Sequence, residues 1–125
     1  MRHLVAAMRK HGVKRVVNLS ALAFLPVPGI GIFIFRKIVV PLLLKDHFAD
    51  KARGEAVLES SGLDYVNVRP GRLLSSPARG GVRAAADIAG YRGFKSMMTY
   101  EDLAAFMVAQ LTANDWVGKS PLIGY

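Results

Sequence analysis

Cysteine is absent from the 125 residues, which excludes disulfides, thiolate catalysis and cysteine-ligated zinc. The histidines are His3, His11 and His47, and no HxH or HExxH spacing joins them, so no metal site is expected. Acidic residues are missing before Asp46, where Arg2, Arg9, Lys10, Lys14, Arg15, Arg36, Lys37 and Lys45 all stand. From Asp46 onward bases and acids cancel, so the formal charge of +8 belongs to the first stretch. Long hydrophobic runs are also lacking. The most apolar stretch, Ile30–Leu44, is broken by Arg36, Lys37 and Pro41 and falls short of the ~20 residues a membrane span needs.

What is present is an apolar globular composition, 52% hydrophobic and 21% charged, with a mean hydropathy of +0.28. Such a chain can bury a core and is not disordered. It suits parallel strands covered on both faces, in one domain or part of one. The acid-free start fits an anionic surface as partner. It also fits a region that another part of a larger fold neutralises, and the second reading agrees with the signs below. No specific nucleic-acid contact is expected. The apolar segment Phe24–Leu44, with its basic neighbours, is a candidate for peripheral contact with a membrane. Lack of cysteine accords with a cytoplasmic location.

Local patterns give an alternation of helix and strand. Residues 2–11 read as a helix that Gly12 stops, with Leu4, Val5 and Met8 on one face and no N-cap ahead of it. Met1 is therefore expected to lie inside a longer chain. Val13–Ser20 reads as a short buried strand through Val16, Val17 and Leu19. Helix, glycine and strand make half of a βαβ crossover. Ala21–Lys45, with Pro26, Pro28, Gly29, Gly31 and Pro41, reads as a loop with short helices. Asp46–Ser61 reads as a helix capped by Asp46, with Phe48, Ala49, Ala52, Ala56 and Leu58 inward and Lys51 and Glu55 paired. Gly62 follows it as a left-handed stop. Asp64–Arg69 reads as a strand that Pro70 and Gly71 end, and 72–98 as a basic loop. Thr99 caps a last helix to Thr112, with Asp102 in a short-armed capping box. Leu103, Phe106, Met107 and Leu111 form its buried stripe. The tail 116–125 reads as a loop and a short strand.

The run Gly-Val-Lys-Arg-Val-Val-Asn-Leu-Ser, then Lys51-x-x-x-Glu55, then Ser61-Gly-Leu-Asp-Tyr-Val-Asn-Val-Arg-Pro-Gly-Arg-Leu73 resembles the atypical short-chain dehydrogenase/reductases. The nearest branches are the NmrA-like proteins and those like flavin reductase or biliverdin reductase B. The resemblance implies an α/β fold: a doubly wound, Rossmann-type parallel sheet, lacking its N-terminal strands. Residues 1–125 would be the C-terminal part of one NAD(P)-binding domain, with about 90 residues of βα units ahead. It implies NADP or NAD as cofactor, with Ser20 near the nicotinamide or substrate. Arg69, Pro70 and Gly71 would flank the nicotinamide. Lys51 would fill the lysine place of the Tyr-x-x-x-Lys pair, with His47 where the tyrosine would stand. Ser20, His47 and Lys51 are thus the candidate catalytic residues.

Plainer roles stand beside these. Ser20 could satisfy its own turn, Arg69 could serve packing or an ion pair, Pro70 and Gly71 could simply end a strand, and His47 could be an exposed helix-start residue. The glycine-rich dinucleotide turn is missing, since Gly29-Ile-Gly31 is the only G-x-G and lacks a third glycine. Weak or absent cofactor binding by this chain alone is therefore expected. The implied activity is NAD(P)H-dependent reduction of a flavin, quinone or similar conjugated acceptor, because such hydride transfer needs little protein acid–base chemistry. The alternative is a non-catalytic NmrA-like dinucleotide sensor or interaction module. The expected partner is a small-molecule substrate, with a homo-oligomer also open because a sheet cut at its middle exposes an edge.

Overall fold

The computed structural model describes residues 1–22, 34, 37–38, 42 and 45–125. The expected loop with short helices at 21–45, its Gly29-Ile-Gly31 turn and the membrane-contact segment Phe24–Leu44 lie almost wholly outside the described residues. The chain divides into two compact units, Met1–Lys14 with Ala23–Leu63, and Arg15–Leu22 with Asp64–Tyr125.

The first unit carries helices α1 (Arg2–Lys10) and α2 (Lys45–Glu59). The N-cap of α1, Met1, makes no side-chain capping bond. At the other end Gly12 adopts φ +69°. The Val13 amide donates to Met8 O at 2.9 Å and the Gly12 amide to Arg9 O at 3.4 Å. This pair of bonds is a Schellman stop, and it needs the left-handed residue that glycine supplies. Val5 and Met8 are buried as expected, whereas Leu4 is 45% exposed. Arg9 Nη2 donates to Ser61 O at 2.6 Å, tying α1 to the turn after α2.

Two expectations for α2 are corrected. Asp46 sits in the first turn of the helix rather than before it, where a carboxylate still favours the helix dipole. Of the expected inward side, Leu58 is buried and Ala49 half-buried, but Ala52 and Ala56 are exposed and Glu55 is buried, while the side chain of Phe48 lies outside the described residues. Small apolar residues tolerate either environment, so alanines alone do not fix the face of a helix.

The second unit is built on strands β1 (Arg15–Leu19), β2 (Asp64–Pro70), β3 (Arg72–Leu74), β4 (Arg83–Ala85), β5 (Met97–Thr99) and β6 (Leu122–Gly124). It also holds the single-turn helix α3 (Ile88–Tyr91) and helix α4 (Tyr100–Ala109). One sheet has the order β1-β2-β6-β4, and β3 pairs with β5 separately. β1 runs parallel to β2 from Arg15↔Asp64 to Leu19↔Val68, and β2 runs parallel to β6. β4 alone is antiparallel, with Arg83 opposite Gly124. The expected loop at 72–98 is therefore corrected: it holds β3, β4, α3 and the start of β5. Three-residue strands carry too little periodicity to be read locally.

Val66, Val68, Met98, Leu103 and Ile123 form the core. Two apolar expectations fail at its margins, where Leu19 is 42% and Leu111 54% exposed. Leu111 lies past the end of α4 at Ala109, so the buried stripe stops before it. Arg15 closes this end, with Nη1 donating to Ala113 O at 2.9 Å and Nη2 to Asn114 Oδ1 at 2.7 Å.

Candidate functional site

β1 and β2 are parallel and end at the same side of the sheet, so their last residues, Ser20 and Pro70-Gly71, lie at one rim. In open α/β sheets that rim is where ligands bind. The Ser20 amide continues the ladder, donating to Val68 O at 2.8 Å. Ser20 is 3% exposed, and its Oγ has no hydrogen-bond partner among the described residues. A buried hydroxyl without a partner is costly, and it leaves one donor and two acceptor positions open to a ligand.

The same face of the sheet is polar below Ser20. Side chains alternate along a strand, and Asn18 stands opposite the wholly buried Asn67. Asn18 Nδ2 donates to Asn67 Oδ1 at 3.0 Å, and Asn67 Nδ2 to Ser120 Oγ at 3.5 Å. These bonds compensate the burial of the Asn67 amide and fix the two strands in register. The two asparagines sit within motifs that the sequence displays, yet only the strand register shows that they meet.

Pro70 is buried and is the last residue of β2, one position beyond the expected end. A Cβ on Gly71 would collide with the Ser96 carbonyl oxygen and stand 2.6 Å from Ser96 Oγ. The Arg72 amide donates to Ser96 O at 3.0 Å. Gly71 thus lets segment 95–96 pass directly over the strand end. Arg69 is half-buried and its amide donates to Pro121 O at 2.9 Å. Ser20, Arg69, Pro70 and Gly71 all belong to the second unit. His47 and Lys51 are on α2 in the first unit, where Lys51 is half-buried and the side chain of His47 lies outside the described residues.

Near the end of β6 stands a carboxylate whose role sequence reading missed in part. Thr99 caps α4 as expected, its Oγ1 accepting from the Asp102 amide at 3.1 Å. Asp102 does not complete the capping box, because the Thr99 amide donates instead to the Tyr125 hydroxyl at 3.0 Å. That hydroxyl donates to Asp102 Oδ2. Asp102 also accepts from the Thr99 hydroxyl at 2.9 Å, the Arg79 amide at 2.8 Å and the Gly80 amide at 3.1 Å. The hydrogen bonds from Tyr125 and the Arg79 amide, helped by Thr99 and Gly80, lower its pKa to about 2 against the opposing effect of burial. Asp102 is thus a fixed anion that ties loop 78–80 to α4 and the end of the chain. Among the described residues, no group of three His, Asp or Glu side chains could hold a metal ion.

Parallel strands joined through helices, with a polar rim at their C-terminal ends, define a Rossmann-like α/β protein. The family profile described as NAD(P)H-binding matches residues 1–114, and the chain belongs to that family. A protein of Bacillus subtilis (strain 168) described as the uncharacterized sugar epimerase YhfK is 35% identical over 100 residues, 80% of this chain and 40% of that protein. A short-chain dehydrogenase/reductase from Veillonella parvula DSM 2008, solved in complex with NADP, superposes with a TM-score of 0.78 at 18% identity, over 98% of this chain and 55% of its own. ChuY from Escherichia coli O157:H7, described as an anaerobillin reductase, superposes with a TM-score of 0.69 at 19% identity, over 98% of this chain and 55% of its own. The chain thus spans about half the length of these solved proteins and 40% of the curated relative.

Proposed function

We propose that this chain is the substrate-side portion of an NAD(P)H-dependent reductase acting on a flavin, a quinone or a similar flat, conjugated acceptor. The observation that carries this reading is Ser20, a buried hydroxyl without a partner among the described residues, at the rim where β1 and β2 end. An NADP-bound short-chain dehydrogenase/reductase and a ChuY reductase share the fold. The residues present suit the nicotinamide end of a dinucleotide. The pyrophosphate end would need a glycine-rich turn, which this sequence does not contain.

NAD(P)H, when bound, supplies the hydride. Ser20 Oγ would donate to the carbonyl of the acceptor or hold the nicotinamide carboxamide, positioned by its own amide on Val68. Asn18 and Asn67 keep the strands beneath it from shifting. Pro70 and Gly71, with Arg69 anchored on Pro121, would form the wall beside the ring. By resemblance, Lys51 and His47 on α2 of the first unit stand at the family's lysine and tyrosine places.

The test is NAD(P)H consumption with flavin and quinone acceptors, the chain being supplied with the glycine-rich half of a relative's domain. Consumption is expected, and Ser20→Ala should lower kcat by about five- to tenfold, the value of one hydrogen bond of ~1 kcal/mol in the transition state. Dinucleotide binding without consumption would replace the reductase by a sensor, and full activity of Ser20→Ala would remove Ser20 from the site. The relation to YhfK favours a second reading, epimerisation of a sugar. It would show as interconversion of a sugar and its epimer with no net change in NAD(P)H.

A further inference from the structure

We propose that Arg79, Arg83 and Lys95, gathered around the end of β6, form a binding site for a multiply charged oxyanion, a pair of carboxylates or a phosphate group carried by the substrate. Only the words "carried by the substrate" rest on the reductase reading. The site itself rests on four observations.

Each of the three residues meets Gly124 or Tyr125 at the end of β6. Arg83 stands opposite Gly124 in the β4–β6 ladder. Lys95 exchanges backbone hydrogen bonds with Tyr125, N to O at 2.8 Å and O to N at 3.4 Å. The Arg79 guanidinium lies 5.7 Å from the centre of the Tyr125 ring. A Cβ on Gly124 would stand 3.3 Å from the Tyr91 hydroxyl and would collide with the Lys95 carbonyl. Glycine is thus what lets the basic segment close over the strand.

Second, no carboxylate among the described residues forms an ion pair with these cations. The acids between residues 69 and 113 are Asp87, Glu101 and Asp102, and each is occupied by backbone amides. Asp87 accepts from the Gly90 amide at 2.7 Å, Glu101 from the Ala78 amide at 2.9 Å, and Asp102 from those of Arg79 and Gly80. The ion pair found among the described residues is Arg15–Asp64, at 3.9 Å, and involves none of the three. Their side chains are exposed.

Third, both arginines, though exposed, lie against rings. The Arg83 guanidinium lies 4.1 Å from the centre of the Phe94 ring, and Tyr91 supports that ring at 5.0 Å between centroids. Stacking restrains the flat cation while leaving its in-plane N–H groups free. Those groups match the oxygen spacing of carboxylate and phosphate. An ordinary solvated arginine pays the entropy of ordering when it binds, and these two are already partly ordered.

Fourth, the place is right for a ligand. β2 and β6 are parallel, so Gly124 ends at the same side of the sheet as Pro70, the rim of the candidate site. A flat acceptor at that rim with an acidic substituent would direct the substituent toward this group.

The experiment titrates the full chain with inorganic pyrophosphate and, separately, with glutarate, at constant ionic strength set with sodium chloride. Binding is followed by calorimetry and by the amide resonances of Lys95, Gly124 and Tyr125. At least one of the two anions is expected to saturate and to shift those resonances. Saturation by pyrophosphate alone identifies a phosphate-bearing ligand; saturation by glutarate as well extends it to carboxylates; both uphold the site. The double variant Arg79→Gln/Arg83→Gln should bind at least tenfold more weakly. Arg83→Lys, which keeps the charge but not the flat fork, should lie between. Arg53→Gln, on α2, should match the native chain. Should the double variant not fold, the single variants carry the comparison. Absence of saturation with both anions, or binding unchanged in the arginine variants, overturns the proposal. No dinucleotide takes part, so pyrophosphate binding here, together with no NAD(P)H consumption by the chain supplied with a relative's glycine-rich half, would defeat the reductase reading and leave the site standing.

Discussion

On one side of β2 lies β6, whose residues Leu122, Ile123 and Gly124 are all buried. On the other lies β1, where every residue is at least partly open and Leu19 is 42% exposed. β6 is covered by β4 along its outer edge and crossed by Lys95 at its end. β1 has no strand on its outer edge among the described residues. The difference separates two tasks. The β6 flank is built from apolar burial and from close approaches that only glycine permits, and it is where the second unit gains its stability. The β1 flank carries the Ser20 hydroxyl, which has no partner among the described residues.

Substitutions at the two flanks should therefore differ in size. Ile123→Ala removes a wholly buried side chain and should cost about 2–5 kcal/mol, read from urea unfolding. An equal loss from Leu19→Ala would break the comparison. Gly124→Ala comes next, at about 1–3 kcal/mol, because the added methyl meets the Lys95 carbonyl and the backbone must shift. If Gly124→Ala were neutral, the clamp over β6 would not exist. A smaller effect is expected from acid. The folded pKa of Asp102, about 2, lies below the ordinary value of about 3.9. The folded chain therefore binds fewer protons than the unfolded chain in that range. The stability Asp102 provides is fully present above about pH 4 and is lost as pH falls toward 2. The difference between the native and Asp102→Asn profiles should shrink across that window, and a constant difference would assign Asp102 a role independent of its charge. Leu19→Ala should be smallest, within about 0.5 kcal/mol.

What could be read from the sequence was local. The Gly12 stop, the Gly62 turn at φ +74° and the Thr99 cap each depend on residues within a few positions, and each is present. β1 and β2 showed through their β-branched residues. The pairings that build β3, β4 and β5 were not visible, because a three-residue strand is defined by a distant partner. The burial of Glu55 was not legible, since periodicity in α2 is blurred by its alanines. Of the candidate site, Ser20 and the Pro70-Gly71 end were legible as strand ends. The bond between Asp102 and Tyr125 joins residues 23 positions apart, and the tail showed no pattern to announce it. The polar bridge from Asn18 to Asn67 spans 49 positions and became visible only through the register.

The central claim is that the rim at Ser20 and Gly71 receives the nicotinamide end of NAD(P)H. The most direct measurement is an amide chemical-shift titration of the chain with NADPH, extended to millimolar concentration because the glycine-rich turn is lacking. Weak binding is expected, with the largest shifts at Ser20, Arg69 and Gly71 and little change at Arg53 or Leu111. Shifts that saturate but are confined to residues away from the strand ends would contradict the account.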